Sequence, residues 1–401
     1  MSGRPAPRLS LRLVPVVFVT TLVQALASMI VILPATIAPE LARAHGVDTA
    51  LIGIQVSVVY IGAMTTSVVG GAVVRRFGPL RCSQIALACA ATGSALTTLP
   101  LLTAIVLGAV FIGFGYGLTN PPAAQMLMKV TKPSNRNLVF SIKQTGVPLG
   151  GVAAGLLAPS IALTFGWQTA LLSGAAFAAG VMVVLQPLRS VWDRRRDPDV
   201  RLSAAPLRDV RLIWAHRNLR MISLGSFTFS AMQVSLTTFA VAMLVTDIKL
   251  SLIQAGLVLA VLQVSGVSGR IVWGWVADRL GDGNRVLSVI TLVTVTAAIL
   301  TRFMVPDTPL VAIYAIMSLF GFTAVGWNGV YLAEIARLAP PELIGSATGA
   351  ALFVTFFGVV LGPAAFAGMY SLVGSYASAF GLLSLVLLVG LVFVQRARQT
   401  L

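Results

Sequence analysis

The sequence contains little charge. Asp, Glu, Lys and Arg make up only 10% of its 401 residues, whereas a soluble protein carries about 25%. Apolar residues account for 57% of the chain, and the mean hydropathy is +0.93. A single soluble domain does not bury so large an apolar share. The composition therefore excludes an ordinary soluble protein and indicates a protein that lies in a lipid bilayer.

Cysteine and histidine are also scarce, with two of each. Cys82 and Cys89 lie in one apolar run, so on a helix they are about 10 Å apart and cannot form a disulfide. His45 and His216 have no cysteine or second histidine at a metal-binding spacing. The sequence thus predicts no disulfide, no metal site and no cofactor.

Long apolar runs, by contrast, fill the chain. Because a spanning helix takes about 20 residues and a connection about 4 to 10 more, the chain accommodates about 12 spans. The predicted spans lie near 13–37, 50–74, 82–99, 104–128, 138–163, 169–188, 220–246, 252–276, 286–305, 310–334, 346–371 and 376–395. The chain is therefore predicted to be an all-α membrane protein with twelve transmembrane helices.

The basic residues indicate which side of the membrane each connection occupies. With the N-terminus inside, the inner connections hold 23 of the 28 Lys and Arg residues, and the outer ones hold only Arg43, Lys249 and Arg302. Positive residues concentrate on the cytoplasmic side, so both termini are predicted to be cytoplasmic. Topology then explains the net charge of +16, and we expect no nucleic-acid partner.

The chain also repeats itself. Three segment pairs match in the same order: 71–78 with 274–281, Gly113 and Asn120 with Gly321 and Asn328, and 146–150 with 358–362. Their offsets are nearly equal, which predicts two similar bundles related by an axis along the membrane normal. The predicted domains are a six-helix bundle at 1–188, a charged cytoplasmic linker at 189–217 and a second six-helix bundle at 218–401.

One loop segment carries a family resemblance. Gly274-x-x-Ala277-Asp278-Arg279-x-Gly281 resembles the loop motif of the major facilitator superfamily, and nearly the whole chain resembles that superfamily. The resemblance implies two six-helix bundles that rock about a central substrate site. Residues 268–275 and 141–151 further resemble the branch of cyanate permease-like, oxalate/formate-exchanging and monocarboxylate transporters. The resemblance implies that Arg270 stands where members of that branch have the arginine that binds the anionic group of the substrate.

Two cations, Lys143 and Arg270, lie inside predicted spans. A cation at membrane depth is costly unless it faces a cavity, a partner or a substrate. We therefore expect both to bind an anion, with the planar fork of Arg270 on a carboxylate. The alternative is that their long side chains reach the inner headgroups or pair with Glu334 or Asp278.

Acidic residues number twelve, and none lies in the middle of a span. Only Glu40 and Glu334 touch spans, and both are near the ends. Cation exporters and many proton-coupled carriers hold their cargo on a mid-depth acid, so a cationic-drug exporter is disfavoured. Proton symport stays open, with the proton on the substrate or on Glu40.

Uncharged polar residues at middle depth complete the predicted substrate site. They are Gln24, Tyr60, Asn120, Gln233 and Asn328. The resemblance implies that spans one, four, seven and ten line the cavity. The alternative for each amide is a hydrogen bond between neighbouring helices. So few polar groups predict a small substrate.

The predicted gating residues belong to the loop motif and its first-half copy. They are Gly274, Asp278, Arg279 and Gly281, with Gly71, Arg75 and Gly78 in the copy. Arg75 stands where the family has an acid that faces the start of the eleventh span. Because a helix N-terminus repels a cation, we expect Arg75 to pair with Glu342.

The sequence predicts a secondary active transporter of a small organic anion, a monocarboxylate or similar, and not an enzyme. The alternative is a drug, antibiotic or metabolite efflux carrier of the same fold. Gly358-x-x-x-Gly362-Pro363 favours it, because it resembles the antiporter signature of exporters, although it lies in the other half. The expected partners are a small anion, membrane lipid, and protons or a counter-anion. We expect a monomer in a bacterial inner membrane.

Overall fold

The computed structural model describes residues 13–131, 139, 142–194, 197, 199, 216–339 and 344–398. Spans 1 to 6 are Leu13–Thr36, Ile52–Phe77, Pro79–Leu96, Leu102–Gly117 continued by Asn120–Val130, Ile142–Phe165 and Trp167–Val184. Spans 7 to 12 are Arg217–Thr246, Leu252–Leu280, Gly283–Thr301, Leu310–Ala324 continued by Asn328–Leu338, Ile344–Val373 and Tyr376–Arg398. The all-α membrane fold predicted from the sequence is confirmed.

Span 3 is the most polar of the predicted spans. Within the described residues, eleven helices are long and apolar enough to cross a membrane, and span 3 is not among them. Two of its polar side chains are nevertheless buried: Gln84 donates to the Met182 carbonyl at 3.0 Å, and Ser94 donates to the Leu171 carbonyl at 2.8 Å. Because protein satisfies these groups, span 3 does not need to be as apolar as its neighbours.

The packing of the helices follows the repeat in the sequence. At Gly113, span 4 lies so close to the Val59 carbonyl of span 2 that a Cβ has no room. At Gly321, span 10 approaches the Leu262 carbonyl of span 8 in the same way. Gly113 corresponds to Gly321, and Val59 corresponds to Leu262, at the same sequence spacing as the repeated segments. The repeat therefore describes two halves that are packed in a similar way. The domain limits of 1–188, 189–217 and 218–401 stay a prediction, as does the cytoplasmic position of the termini.

Two seams join the halves, one between spans 5 and 8 and one between spans 2 and 11. Both are narrow on the side of the bundle opposite Leu13 and Arg398, which we call the far side. A Cβ at Gly155 would lie 2.7 Å from the Gly256 carbonyl oxygen, and a Cβ at Gly53 would lie 2.6 Å from the Pro363 carbonyl oxygen. Glycine therefore permits the backbones of the two halves to touch on the far side.

Candidate substrate-binding site

Lys143 lies at the start of span 5 and is only 2% exposed. Its ammonium group donates hydrogen bonds to Oε1 of Gln24, at 2.7 Å, and to Oδ1 of Asn120. The Thr119 hydroxyl donates to the same Gln24 oxygen at 2.9 Å. Spans 1, 4 and 5 thus meet at one cluster, in which neutral oxygens surround a cation.

Arg270 lies in span 8, on the same seam as Lys143, and is partly buried. Its Nε donates to the Val325 carbonyl at 3.2 Å, and its Nη1 donates to the Gln144 carbonyl at 3.2 Å. Val325 belongs to the break in span 10, whereas Gln144 follows Lys143 in the other half. Arg270 therefore bridges the two halves and lies beside the backbone that carries Lys143.

Neither cation has an acidic partner among the described residues. The three ion pairs there join Arg43 to Glu40, Arg189 to Asp193, and Arg337 to Glu334. Glu334, which the sequence offers as an alternative partner for Lys143 or Arg270, instead binds Arg337 at 2.6 Å. Asp278 pairs with neither cation. Both positive charges at the seam remain unneutralised by protein within the described part of the chain.

A second amide cluster occupies the matching place in the other half. Oε1 of Gln233, in span 7, accepts a hydrogen bond from Nε1 of Trp327 at 2.9 Å and one from Nδ2 of Asn328 at 3.0 Å. Gln24 and Gln233 accordingly occupy similar positions in their halves. The clusters differ in their donors, because the first contains the cation of Lys143 and the second contains the indole of Trp327.

Two aromatic rings lie near Arg270, beside the seam between spans 5 and 8. Tyr60 and Tyr116 contact each other edge to face, with ring centroids 5.7 Å apart. Tyr116 lies close enough to Arg270 for an electrostatic interaction and precedes Asn120 by one turn of span 4. Tyr60 therefore contacts this region through Tyr116.

The motif residues lie at the ends of spans 2 and 8, away from the amide clusters. Gly281 ends span 8 with a φ of 62°, and the Arg279 guanidinium lies 4.6 Å from the centroid of the Trp275 ring. No atom of another residue approaches the position of a Cβ at Gly274 within 4 Å. Asp278, which lies between Gly274 and Gly281, is exposed.

The first-half copy of the motif ends span 2. Gly71 lies within that span, and Gly78 ends it with a φ of 92°, where a Cβ would overlap the Asp193 carboxylate. Arg75 is exposed, and its carbonyl accepts a hydrogen bond from the Asp197 amide at 2.9 Å. Glu342, its predicted partner, lies outside the described residues. That pairing therefore stays a prediction.

Members of the site that were absent from the sequence-based set include Thr119, Gln144 and Val325. Gln144 and Val325 contribute backbone carbonyls, which leave no signature in the residue type. Thr119 had a usable signal, because it directly precedes Asn120 and the two prolines that restart span 4 at Asn120. A chain break followed by Asn-Pro-Pro marks a point where freed backbone and side chains face the interior.

The relatives of known name include several carriers. An MFS-type efflux pump of Mycolicibacterium smegmatis is 28% identical over 272 residues, covering 64% of this chain and 60% of the pump. The 4-hydroxybenzoate transporter of Pseudomonas aeruginosa is 24% identical over 359 residues, covering 81% of this chain and 79% of that transporter. The chain spans about 60% of the length of three of the curated relatives that it matches.

A solved structure matches over nearly the full length. A bacterial homologue of the human lysosomal transporter Spinster, in an inward-facing and occupied conformation, superposes with a TM-score of 0.75 at 16% identity. The match covers 99% of this chain and 98% of the homologue. At this identity the likeness shows the fold alone.

The family model for the Major Facilitator Superfamily matches residues 17–363. Together with the apolar helices, this match shows a multi-pass inner-membrane protein. The resemblance noted in the sequence is thereby confirmed. The chain belongs to the Major Facilitator Superfamily.

Proposed function

We propose that the protein is a secondary active transporter of a small organic anion, a monocarboxylate or similar, and that Arg270 and Lys143 hold its carboxylate. The observation that carries the proposal is a pair of cations on one seam with no acidic partner among the described residues. Such a pair is costly inside a membrane protein unless an anion neutralises it.

The internal repeat supports a functional origin for both charges. At the offsets of the matching segments, Arg270 corresponds to Ser67 and Lys143 corresponds to Thr355. The Thr355 hydroxyl lies 2.7 Å from the Ser226 hydroxyl within its own half. A residue that the fold required would be expected in both halves. The cations occur once each and on the same seam, which favours a role in binding.

The seam explains how such a site serves transport. Spans 5 and 8 belong to different halves, so rocking of the halves changes which side of the membrane reaches the anion. The 4-hydroxybenzoate transporter among the relatives supports an organic anion as cargo. The efflux pump among them supports the alternative, an exporter. The coupling ion, a proton or a counter-anion, and the monomeric state stay predictions.

The test is thermal stability of the purified protein with a panel of small carboxylates, inorganic anions and lipophilic cations. An anion at 100 times its dissociation constant stabilises the native state by about 2.7 kcal/mol. We expect one class of carboxylate to raise the melting temperature of the wild type and not that of Arg270→Gln. Arg302→Gln is the matched control, because Arg302 is exposed on the far side.

Two outcomes would contradict the proposal. One is stabilisation by lipophilic cations alone, which would favour the exporter. The other is an equal response of Arg270→Gln and Arg302→Gln to every anion, which would make Arg270 a structural residue.

A further inference from the structure

We propose that the site selects an anion that carries a hydroxyl group at the end opposite its carboxylate. This inference rests on the proposed function and specifies its substrate class. It follows from the direction in which each amide of the two clusters points. Groups that can only donate hydrogen bonds fix those directions.

In the first half, the ammonium group of Lys143 fixes the amides. An ammonium group can only donate, so the oxygens of Gln24 and Asn120 must face it. Both amide nitrogens are then turned away. Nε2 of Gln24 is buried without a hydrogen-bond partner, and Asn120 is exposed, with no partner for Nδ2 among the described residues. The amide groups that this half leaves free are therefore donors only.

In the second half, the indole of Trp327 fixes the amides. Its Nε1 can only donate, so Oε1 of Gln233 faces it. Asn328 contacts the same oxygen and must use its own Nδ2. Oδ1 of Asn328 and Nε2 of Gln233 are left without partners among the described residues. This half thus offers an acceptor beside a donor.

A continuous set of contacts places the two clusters in one site. Arg270 binds the Val325 carbonyl, three residues before Asn328, and the Gln144 carbonyl, directly after Lys143. Lys143 in turn binds Asn120. Arg270 therefore lies between the cluster of the first half and the cluster of the second.

The two ends of the site match different chemical groups. A carboxylate only accepts hydrogen bonds, so it fits the donors of Lys143, Asn120 and Arg270. A hydroxyl group donates and accepts at once, so it fits the mixed pair of Asn328 and Gln233. A second carboxylate would face the Asn328 oxygen with no proton to give. The arrangement therefore favours a hydroxycarboxylate over a plain monocarboxylate or a dicarboxylate.

The experiment measures dissociation constants for matched ligand pairs with the purified full-length protein. The pairs are 4-hydroxybenzoate with benzoate and 4-hydroxybutyrate with butyrate, which differ only in the distal hydroxyl. Because the hydroxyl gains two hydrogen bonds, we expect the hydroxylated member of at least one pair to bind about tenfold more tightly.

Variants then assign the preference to a residue. In Asn328→Leu we expect the hydroxylated acid and the plain acid to bind with about equal affinity. The affinity for the plain acid should be unchanged. Asn120→Leu is the control, because it weakens both members of a pair equally and leaves their ratio intact. If Asn328→Leu melts far below the wild type, Gln233→Met removes the other member of the mixed pair and should give the same loss.

The outcomes separate the two proposals. If no carboxylate binds, the proposed function fails. If both members of every pair bind with equal affinity, or if Asn328→Leu and Gln233→Met both keep the preference, the hydroxyl inference is overturned and the anion carrier stands.

Discussion

At the scale of single residues, the unneutralised charge of Lys143 is the most unusual feature of the chain. Its ammonium group has amide oxygens as partners and no carboxylate within the described residues. A buried charge of this kind lowers the free energy of unfolding. Replacing it with an apolar side chain of similar size often raises that free energy again. The residue is therefore expected to lower the stability of the empty protein in exchange for anion binding.

Replacing Lys143 tests this balance. We expect Lys143→Met to raise the stability of the ligand-free protein by about 1 to 3 kcal/mol and to abolish stabilisation by anions. The measurement is the melting temperature with and without ligand. Lys129→Met is the matched control, because Lys129 is exposed at the end of span 4 and should change neither quantity. A less stable Lys143→Met would show that the cation holds spans 1, 4 and 5 together.

Sequence reasoning reaches single residues unevenly. A charge within an apolar run is conspicuous, so Lys143 and Arg270 were found without a structure. The amides were found as well, but their directions follow from contacts between residues about 95 positions apart, such as Gln233 with Trp327. Backbone acceptors such as Val325 have no distinguishing side chain, and only the break in span 10 reveals them.

At the scale of elements, several acids of the chain bind helix N-termini. Asp193 accepts hydrogen bonds from the Leu80 and Arg81 amides at the start of span 3. Glu334 accepts one from the Gly283 amide at the start of span 9, and Asp247 accepts one from the Ala377 amide in span 12. A carboxylate there satisfies free N–H groups and complements the helix dipole. These acids serve to join spans, which explains why they stand at span ends.

The cap on span 3 gives a second prediction. We expect Asp193→Ala to lower stability by about 0.5 to 2 kcal/mol, because the Leu80 and Arg81 amides lose their acceptor. Asp307→Ala is the control, since Asp307 is exposed on the far side. The measurement is the melting temperature of both variants. Equal melting temperatures would mean that the Asp193 cap contributes nothing to stability.

The positions of these caps were beyond sequence reasoning. Twelve spans follow from the spacing of apolar runs, but the pairing of Asp193 with span 3 joins residues 113 positions apart. Span 3 itself is polar for a related reason, because its buried Gln84 and Ser94 side chains bond to span 6. The local sequence pattern predicts that such a helix exists, but it does not reveal which helices contact it.

At the scale of the whole molecule, the proposed transport requires the two halves to separate along their seams so that each side can open. The glycines at the far side permit the closed contact seen here, with Gly256 against Gly155. The repeat predicted that the halves exist and are alike. It did not predict the differences between them, such as a cation in one cluster and an indole in the other, which come from residues that the copies do not share.

A bulky residue at the far side gives the third prediction. We expect Gly256→Val to reduce transport into liposomes at least about tenfold while anion binding is retained, because the far side no longer closes. Gly180→Val is the control, since no atom lies within 4 Å of a Cβ at Gly180. Unchanged transport in Gly256→Val would show that the seam does not need backbone contact.

The hydrogen bond from Arg270 to the Gln144 carbonyl has a consequence for the leakage of ions across the membrane. When the seam opens in an empty carrier, the guanidinium loses an acceptor that belongs to the opposite half. A bound carboxylate supplies replacement oxygens that stay with Arg270, so the loaded carrier avoids the cost of an unsatisfied buried donor. We therefore expect the empty protein to change sides more slowly than the loaded one. Such a difference would keep the membrane tight to ions between cycles.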